Sequence, residues 1–199
     1  MSCVRRCAAI VTCAMAFMIS SGCGSSPTRF YALSALPQAA GATSGIVRSG
    51  PMLGIGPVSV PERLNRPEIV TWLNENRLNL AEFDRWAAPL QDSITRVLAE
   101  NLSVLLPTDR AAVFPWPSDF PIDYEVRVDV SRLDGTLGRD CSLIAQWSVL
   151  RRGDKQTKGG RSSHLEPAGD NYTTLVAAYS RLVAALSRDI AAVLGAGGW

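Results

Sequence analysis

Ile122-Asp123-Tyr124-Glu125-Val126-Arg127-Val128-Asp129-Val130 alternates apolar and polar side chains without a break. Successive side chains of an extended chain point to opposite faces. This period therefore sets five apolar groups toward a core and four charged ones toward water. The stretch reads as a half-buried strand of an antiparallel sheet. Downstream, Leu143, Ala145, Trp147 and Val149 repeat the period and form the inner face of the next strand. Arg152-Gly153-Asp154 is hairpin chemistry, and the polar run 156–166 after it belongs at a sheet edge. Upstream, 53–60 reads as a strand ended by Pro61. Segments 68–73 and 77–82 form a hairpin about Asn74-Glu75-Asn76, where Asn tolerates the left-handed backbone. A further strand at 111–114 runs into Pro115-Trp116-Pro117, which cannot continue inside a sheet.

Two stretches change period. Leu90, Ile94, Val97, Leu98 and Leu105 recur at helical spacing, with Gln91, Asp92, Arg96 and Glu100 opposite. Pro89 suits the first helical position, where its missing N–H is harmless, and Pro107 closes the segment. Tyr172, Leu175, Val176, Tyr179, Leu182, Val183, Leu186, Ile190 and Val193 form a second, wider apolar stripe. Asp170 or Asn171 caps it and Gly195 ends it. Together these elements predict an α+β fold: a two-layer sandwich of a mainly antiparallel sheet with two amphipathic helices on one face. One domain is expected over residues 51–195, with a flexible tail at 196–199.

The first residues read as a processing signal. Arg5 and Arg6 precede a mostly apolar stretch, 7–19, and then the small residues Ser20, Ser21 and Gly22. Thirteen residues at ~1.5 Å each span only about 20 Å, short of a bilayer's hydrocarbon core. Residues 1–22 are thus expected to be a signal peptide. Ile19-Ser20-Ser21-Gly22-Cys23 resembles a bacterial lipobox, with Ser20 where Leu is usual. By that resemblance Cys23 becomes the first mature residue and carries a diacylglyceryl group and an N-acyl chain. Several acyl chains hold a protein on a bilayer essentially permanently, each buried methylene adding ~0.8 kcal/mol. Gly24, where Asp would mark inner-membrane retention, implies the outer membrane. Residues 23–50 then serve as lipidated cysteine, tether and Ala/Gly/Ser-rich loop, with a possible first strand at 29–33.

Charge and cysteine usage exclude several classes. A chain starting at Cys23 carries 18 basic and 18 acidic groups, so nucleic-acid binding is not expected. Four of the five cysteines lie at or before Cys23, leaving Cys141 alone in the body with the single histidine, His164. Neither a disulfide framework nor a metal site can be assembled from that set. There is no G-x-S-x-G, H-E-x-x-H or G-x-x-x-x-G-K-[ST] pattern, so no enzyme and no cofactor are expected. Cys141 reads as a packing residue and His164 as a surface residue. Asn101-Leu102-Ser103 and Asn171-Tyr172-Thr173 fit a glycosylation pattern but fall on helices. Trp116 and Trp199 are candidates either for partner contact or for folding back onto the domain.

Gly56-Pro57-Val58-Ser59-Val60-Pro61-Glu62-Arg63-Leu64-Asn65-Arg66-Pro67-Glu68-Ile69-Val70 resembles the "PV-x-[VL]-P-x-YLDRPQIV" segment of the ABC-type transport auxiliary lipoproteins, the PqiC/YmbA-like family. Glu82-Phe83-Asp84-Arg85-Trp86-Ala87-Ala88-Pro89-Leu90 is similar to that family's "F-x-x-WAEPL" stretch, and Phe30-Tyr31-Ala32-Leu33 to its "YYxL" start. Asn65, Arg63 and Ala88 depart from the pattern. The resemblance implies a periplasm-facing, outer-membrane lipoprotein that docks on or supports an MCE-type lipid-transport system and contributes to membrane integrity. Its partners would be an MCE-domain protein and the inner-membrane permease, with a homo-oligomer possible by the same resemblance. Pro61, Glu62, Arg63, Arg66 and Trp116 are the candidate partner contacts. For Trp86, packing on the first turn of the helix, as in a hydrophobic staple, is the favoured role. The competing reading is a self-contained lipid- or peptide-binding envelope lipoprotein, with a pocket lined by Tyr124, Trp147 and Tyr179.

Overall fold

The computed structural model describes residues 27–38, 50–106 and 108–195. Among the described residues, eight strands and two helices follow one another. They are β1 (Arg29–Tyr31), β2 (Leu53–Ser59), β3 (Glu68–Asn74), β4 (Arg77–Trp86), α1 (Leu90–Leu105), β5 (Ala111–Val113), β6 (Tyr124–Gly135), β7 (Asp140–Arg151), β8 (Thr157–Pro167) and α2 (Tyr172–Gly195). A 3-10 turn, Glu62–Leu64, links β2 to β3. The fold is α+β, as the two periodicities require.

The strands form two sheets rather than one. A five-stranded sheet has the order β5-β2-β6-β7-β8, and a three-stranded sheet the order β1-β4-β3. The long ladders β6–β7 and β7–β8 are antiparallel, while β2 is parallel to both its neighbours. The chain leaves β2 through the three-stranded sheet and α1 before returning at β5 and β6. Such a crossover is what parallel neighbours need.

The alternation in β6 behaves as its period demands up to Val130. Val126, Val128 and Val130 are buried against Val149, Trp147 and Ala145 of β7. A register shift between Val130 and Arg132 then leaves Ser131 and Arg132 both exposed and returns Leu133 to the core. One extra residue in a bulge has this effect. Glu125, expected to face water, is instead buried at 4% exposure. Arg127 and Arg152 reach its two oxygens at 2.7 and 3.0 Å and cover it.

Both helices lie on the five-stranded sheet, α1 over β2 and β5, α2 over β7 and β8. Pro89 is the N-cap of α1 rather than its first helical residue: its ψ of 132° is extended, and its carbonyl accepts from the Ser93 N–H at 3.0 Å. Pro107, expected to close this helix, lies outside the described residues, as do residues 1–26, 39–49 and 196–199. Of the two candidate caps for α2, Asn171 is the one used, its Oδ1 accepting from the Thr174 N–H at 3.0 Å. Asn101 of α1 donates to Ser187 of α2 at 3.0 Å inside the helix pair. It is fully buried, so the glycosylation pattern there is unusable.

The segment following β1 is laid across these helices. Leu36 N–H donates to Asn101 Oδ1 at 2.7 Å and Ser34 N–H to Ser180 Oγ at 3.0 Å, with Leu33 buried. Residues 29–36 therefore pack onto the same body as residues 51–195, with the first strand at Arg29–Tyr31.

Candidate functional site

Pro61, Glu62, Arg63 and Arg66 lie in one loop between β2 and β3. Leu64, buried at 4%, plugs the core from within the 3-10 turn, and Leu64 N–H closes the turn on the Pro61 carbonyl at 2.8 Å. With Leu64 fixed inward, Glu62, Arg63, Asn65 and Arg66 are displayed to solvent, and Pro61 is half-buried. Arg63 reaches Asp134 at the end of β6 at 3.2 Å. Arg66 and Arg85 share the carboxylate of Glu68 at 3.1 and 3.5 Å. The backbone N–H of Glu68 and then the Arg66 guanidinium hold that carboxyl below its ordinary pKa.

Trp116 is placed elsewhere. It meets Phe114 edge to face, ring centres 5.3 Å apart, and packs over Gly54 with Ile122. A Cβ on Gly54 would come within 3.0 Å of both side chains, so glycine there makes room for the tryptophan. Gly54 lies at the start of β2 and Pro61 just beyond its end, about 20 Å away at ~3.3 Å per residue. The proposed contacts thus fall into two separate places. Trp116 is half-buried, while Phe114 beside it is 48% exposed.

Trp86 is buried in the core cluster that also holds Leu90 and Ile94 of α1. Its ring stacks on Tyr179 of α2, centroids 6.3 Å apart and 25° between planes. Trp147 and Tyr179, named as lining for an internal pocket, are both within the hydrophobic core, and Tyr124 packs against it. Two concavities lie on the surface of the described residues. One, of about 380 Å³, includes Trp72, Leu73, Arg132, Arg139, Cys141 and Leu165; another, of about 340 Å³, lies on the outer face of β6 and β7.

The nucleophile candidates are arranged for packing. Cys141 is 1% exposed, and burial pushes its thiol up to about 11. It would be a thiol rather than a thiolate at neutral pH. Ser162, His164 and Asp189 do meet, beside Trp147. Ser162 Oγ donates to Asp189 Oδ2 at 2.5 Å and accepts from Trp147 Nε1 at 3.0 Å, while His164 Nε2 meets the same Asp189 oxygen at 2.8 Å. The carboxylate stands between serine and imidazole, so the histidine cannot take the serine proton as a triad requires. The cluster ties the edge strand β8 to α2. Among the described residues no group of three or more His, Cys, Asp or Glu could hold a metal, and no helix is long and apolar enough to cross a membrane.

Sequence reading did not single out Asp84. It is 4% exposed and receives Arg29 through both guanidinium nitrogens at 2.7 Å and the Tyr31 hydroxyl at 2.7 Å. Hydrogen bonds from Arg29 hold its carboxyl below the ordinary range despite burial. This clamp fixes β1 as a parallel edge strand beside β4. The only signal for it was the charge of Asp84 within an otherwise strand-like run ending in Trp86.

Residues 31–191 match the family described as ABC-type transport auxiliary lipoprotein component. Two solved structures share the fold. One, a crystal structure of an uncharacterized protein, superposes with a TM-score of 0.67 at 20% identity, covering 85% of this chain and 99% of its own. The other, a Xanthomonas campestris protein of the DUF330 family, gives 0.65 at 14% identity, covering 84% and 94%. No curated protein matches the chain.

Proposed function

We propose that this chain, which belongs to the ABC-type transport auxiliary lipoprotein family, is a non-enzymatic, lipid-anchored subunit of an MCE-type lipid-transport system. Cys23 carries the lipid and holds the protein on the periplasmic side of the outer membrane. The folded body contacts an MCE-domain protein, and through it the inner-membrane permease, and so contributes to membrane integrity. Pro61, Glu62, Arg63 and Arg66 make one contact, and Trp116 a second at the opposite end of β2.

The packing of Trp147 and Tyr179 carries this reading. A self-contained carrier needs an enclosed site that buries most of its ligand, and Trp147 and Tyr179 pack into the core where that site would have been. Work is left to the surface, where the arginine-bearing loop stands out rigidly on the buried Leu64. The test keeps the native signal, adds a tag after Trp199, crosslinks whole cells and identifies the recovered chains by mass spectrometry. Recovery of an MCE-domain protein and permease with an acylated chain supports the proposal. An acylated chain recovered with neither overturns it and turns attention to lipid in the external cleft at Trp72, Leu73 and Leu165.

A further inference from the structure

Phe30 is 66% exposed, yet it sits in the middle of a strand that is firmly held. Arg29 and Tyr31, on either side, both bond Asp84, so the alternation of an extended chain turns Phe30 to the opposite face. Its register partner on β4 is Arg85, and Arg85 in turn pairs with Glu68 of β3. Phe30, Arg85 and Glu68 therefore form one row across the outer face of the three-stranded sheet. Arg66 joins the row's end through Glu68. Two guanidiniums share one carboxylate there, which leaves positive charge in excess beside an exposed aromatic ring.

The position of this row along the chain identifies what it faces. Arg29 follows Cys23 by six residue steps, which span at most about 21 Å even fully extended. If Cys23 is acylated, β1 is confined to a thin layer next to the bilayer. We propose that Phe30 and Arg85 form a lipid-facing seat, with Phe30 entering the headgroup region of the membrane that holds the anchor and the Arg85 guanidinium meeting anionic headgroups. The inference rests on the lipid-anchor reading above. An aromatic ring at headgroup depth beside a cation is the composition that interfacial binding favours. The seat gives the body one orientation on the membrane, with the exposed Leu165 of β8 outside the row.

The test uses the processed full chain, purified and returned to vesicles containing phosphatidylglycerol. Intact mass first establishes whether Cys23 is acylated. Phe30→Cys and, separately, Leu165→Cys are then spin-labelled; acylation consumes the Cys23 thiol and Cys141 is buried. Both replaced side chains are more than half exposed, so neither change disturbs the core. The label at 30 is expected to be shielded from an aqueous nickel chelate about threefold or more relative to the label at 165, and open to oxygen, as an interfacial depth requires. In vesicles of phosphatidylcholine alone that shielding is expected to weaken. An acylated chain whose label at 30 is as accessible to nickel as the label at 165 overturns the seat and leaves the anchor standing. Shielding from nickel and oxygen alike overturns it too, by showing contact between copies instead. A chain without acyl mass overturns the anchor and the seat together.

Discussion

The Tyr179 hydroxyl is buried with no hydrogen-bond partner among the described residues, and burial pushes its pKa strongly upward. What the residue supplies is its ring, stacked on Trp86. Tyr179→Phe keeps the stack and removes a buried unpaired polar group, so stability to denaturant should be unchanged or rise by about 1 kcal/mol. A comparable loss would show that the hydroxyl is satisfied after all. Gly160 answers to the opposite constraint. A Cβ there would lie 2.7 Å from the Trp147 ring, while Trp147 Nε1 is committed to Ser162. Gly160→Ala must displace the ring or the strand, and overpacking of that kind costs about 1–3 kcal/mol, readable as a lowered denaturation midpoint with unchanged slope. Neither constraint is visible in a sequence, where Gly159-Gly160 reads only as a weak strand.

At the scale of elements, β1 is the clearest case of a segment held by electrostatics rather than by its own length. Three residues in a parallel edge pairing contribute little alone, and the buried Asp84 carboxylate supplies the grip. Its folded pKa is depressed, so the unfolded chain binds the extra proton as pH falls. The contribution is complete at neutral pH and is lost as pH falls through the ordinary carboxylate range toward the lower folded value. Glu125 shares this sign: burial pushes it up, but hydrogen bonds from Arg127 and Arg152 outweigh that and hold it below its usual value. Asp84→Asn should therefore flatten part of the acid side of the stability profile. At pH 7 it should speed amide exchange in β1 by about tenfold or more, with β6 and β7 amides unaffected, as local opening predicts. Slowed or unchanged exchange in β1 would mean that the strand is held by its backbone pairing alone.

For the molecule as a whole, the two proposed contact regions at opposite ends of β2 make separable predictions. Arg63→Gln with Arg66→Gln removes two exposed guanidiniums without setting new negative charge beside Asp134 or Glu68, so the melting temperature should move by no more than about 2–4 °C while partner recovery falls about tenfold. Trp116→Ala uncovers Gly54 and Ile122, and should lower stability by about 1–3 kcal/mol. Trp116→Phe preserves much of that cover. Loss of partner recovery in the phenylalanine variant would establish a contact at that end, and retention would leave Trp116 as a packing residue. His164→Ala should cut the tie between β8 and α2 at the Asp189 end without affecting transport, since the carboxylate's position between Ser162 and the imidazole prevents proton relay. Loss of transport with the fold intact would bring a chemical role back into question.

Period and punctuation were enough to read the α+β class, the hairpin at Asn74, the helix stripes, the edge position of β8 and the display of the 61–66 loop. These depend on neighbours a few residues apart, and the alternation at 122–130 or the stripe from Tyr172 carries them directly. Spacing could not reveal the division into two sheets, because β1 must find β4 across 55 residues through the Arg29–Asp84 pair. Nor could it reveal that Glu125 is buried under arginines 2 and 27 residues away, or that the Trp86 ring stacks on Tyr179 of α2. Trp116 over Gly54 is of the same kind. In each, the energy belongs to a pair of groups that come together only when the chain closes on itself, so no local pattern in either partner announces it.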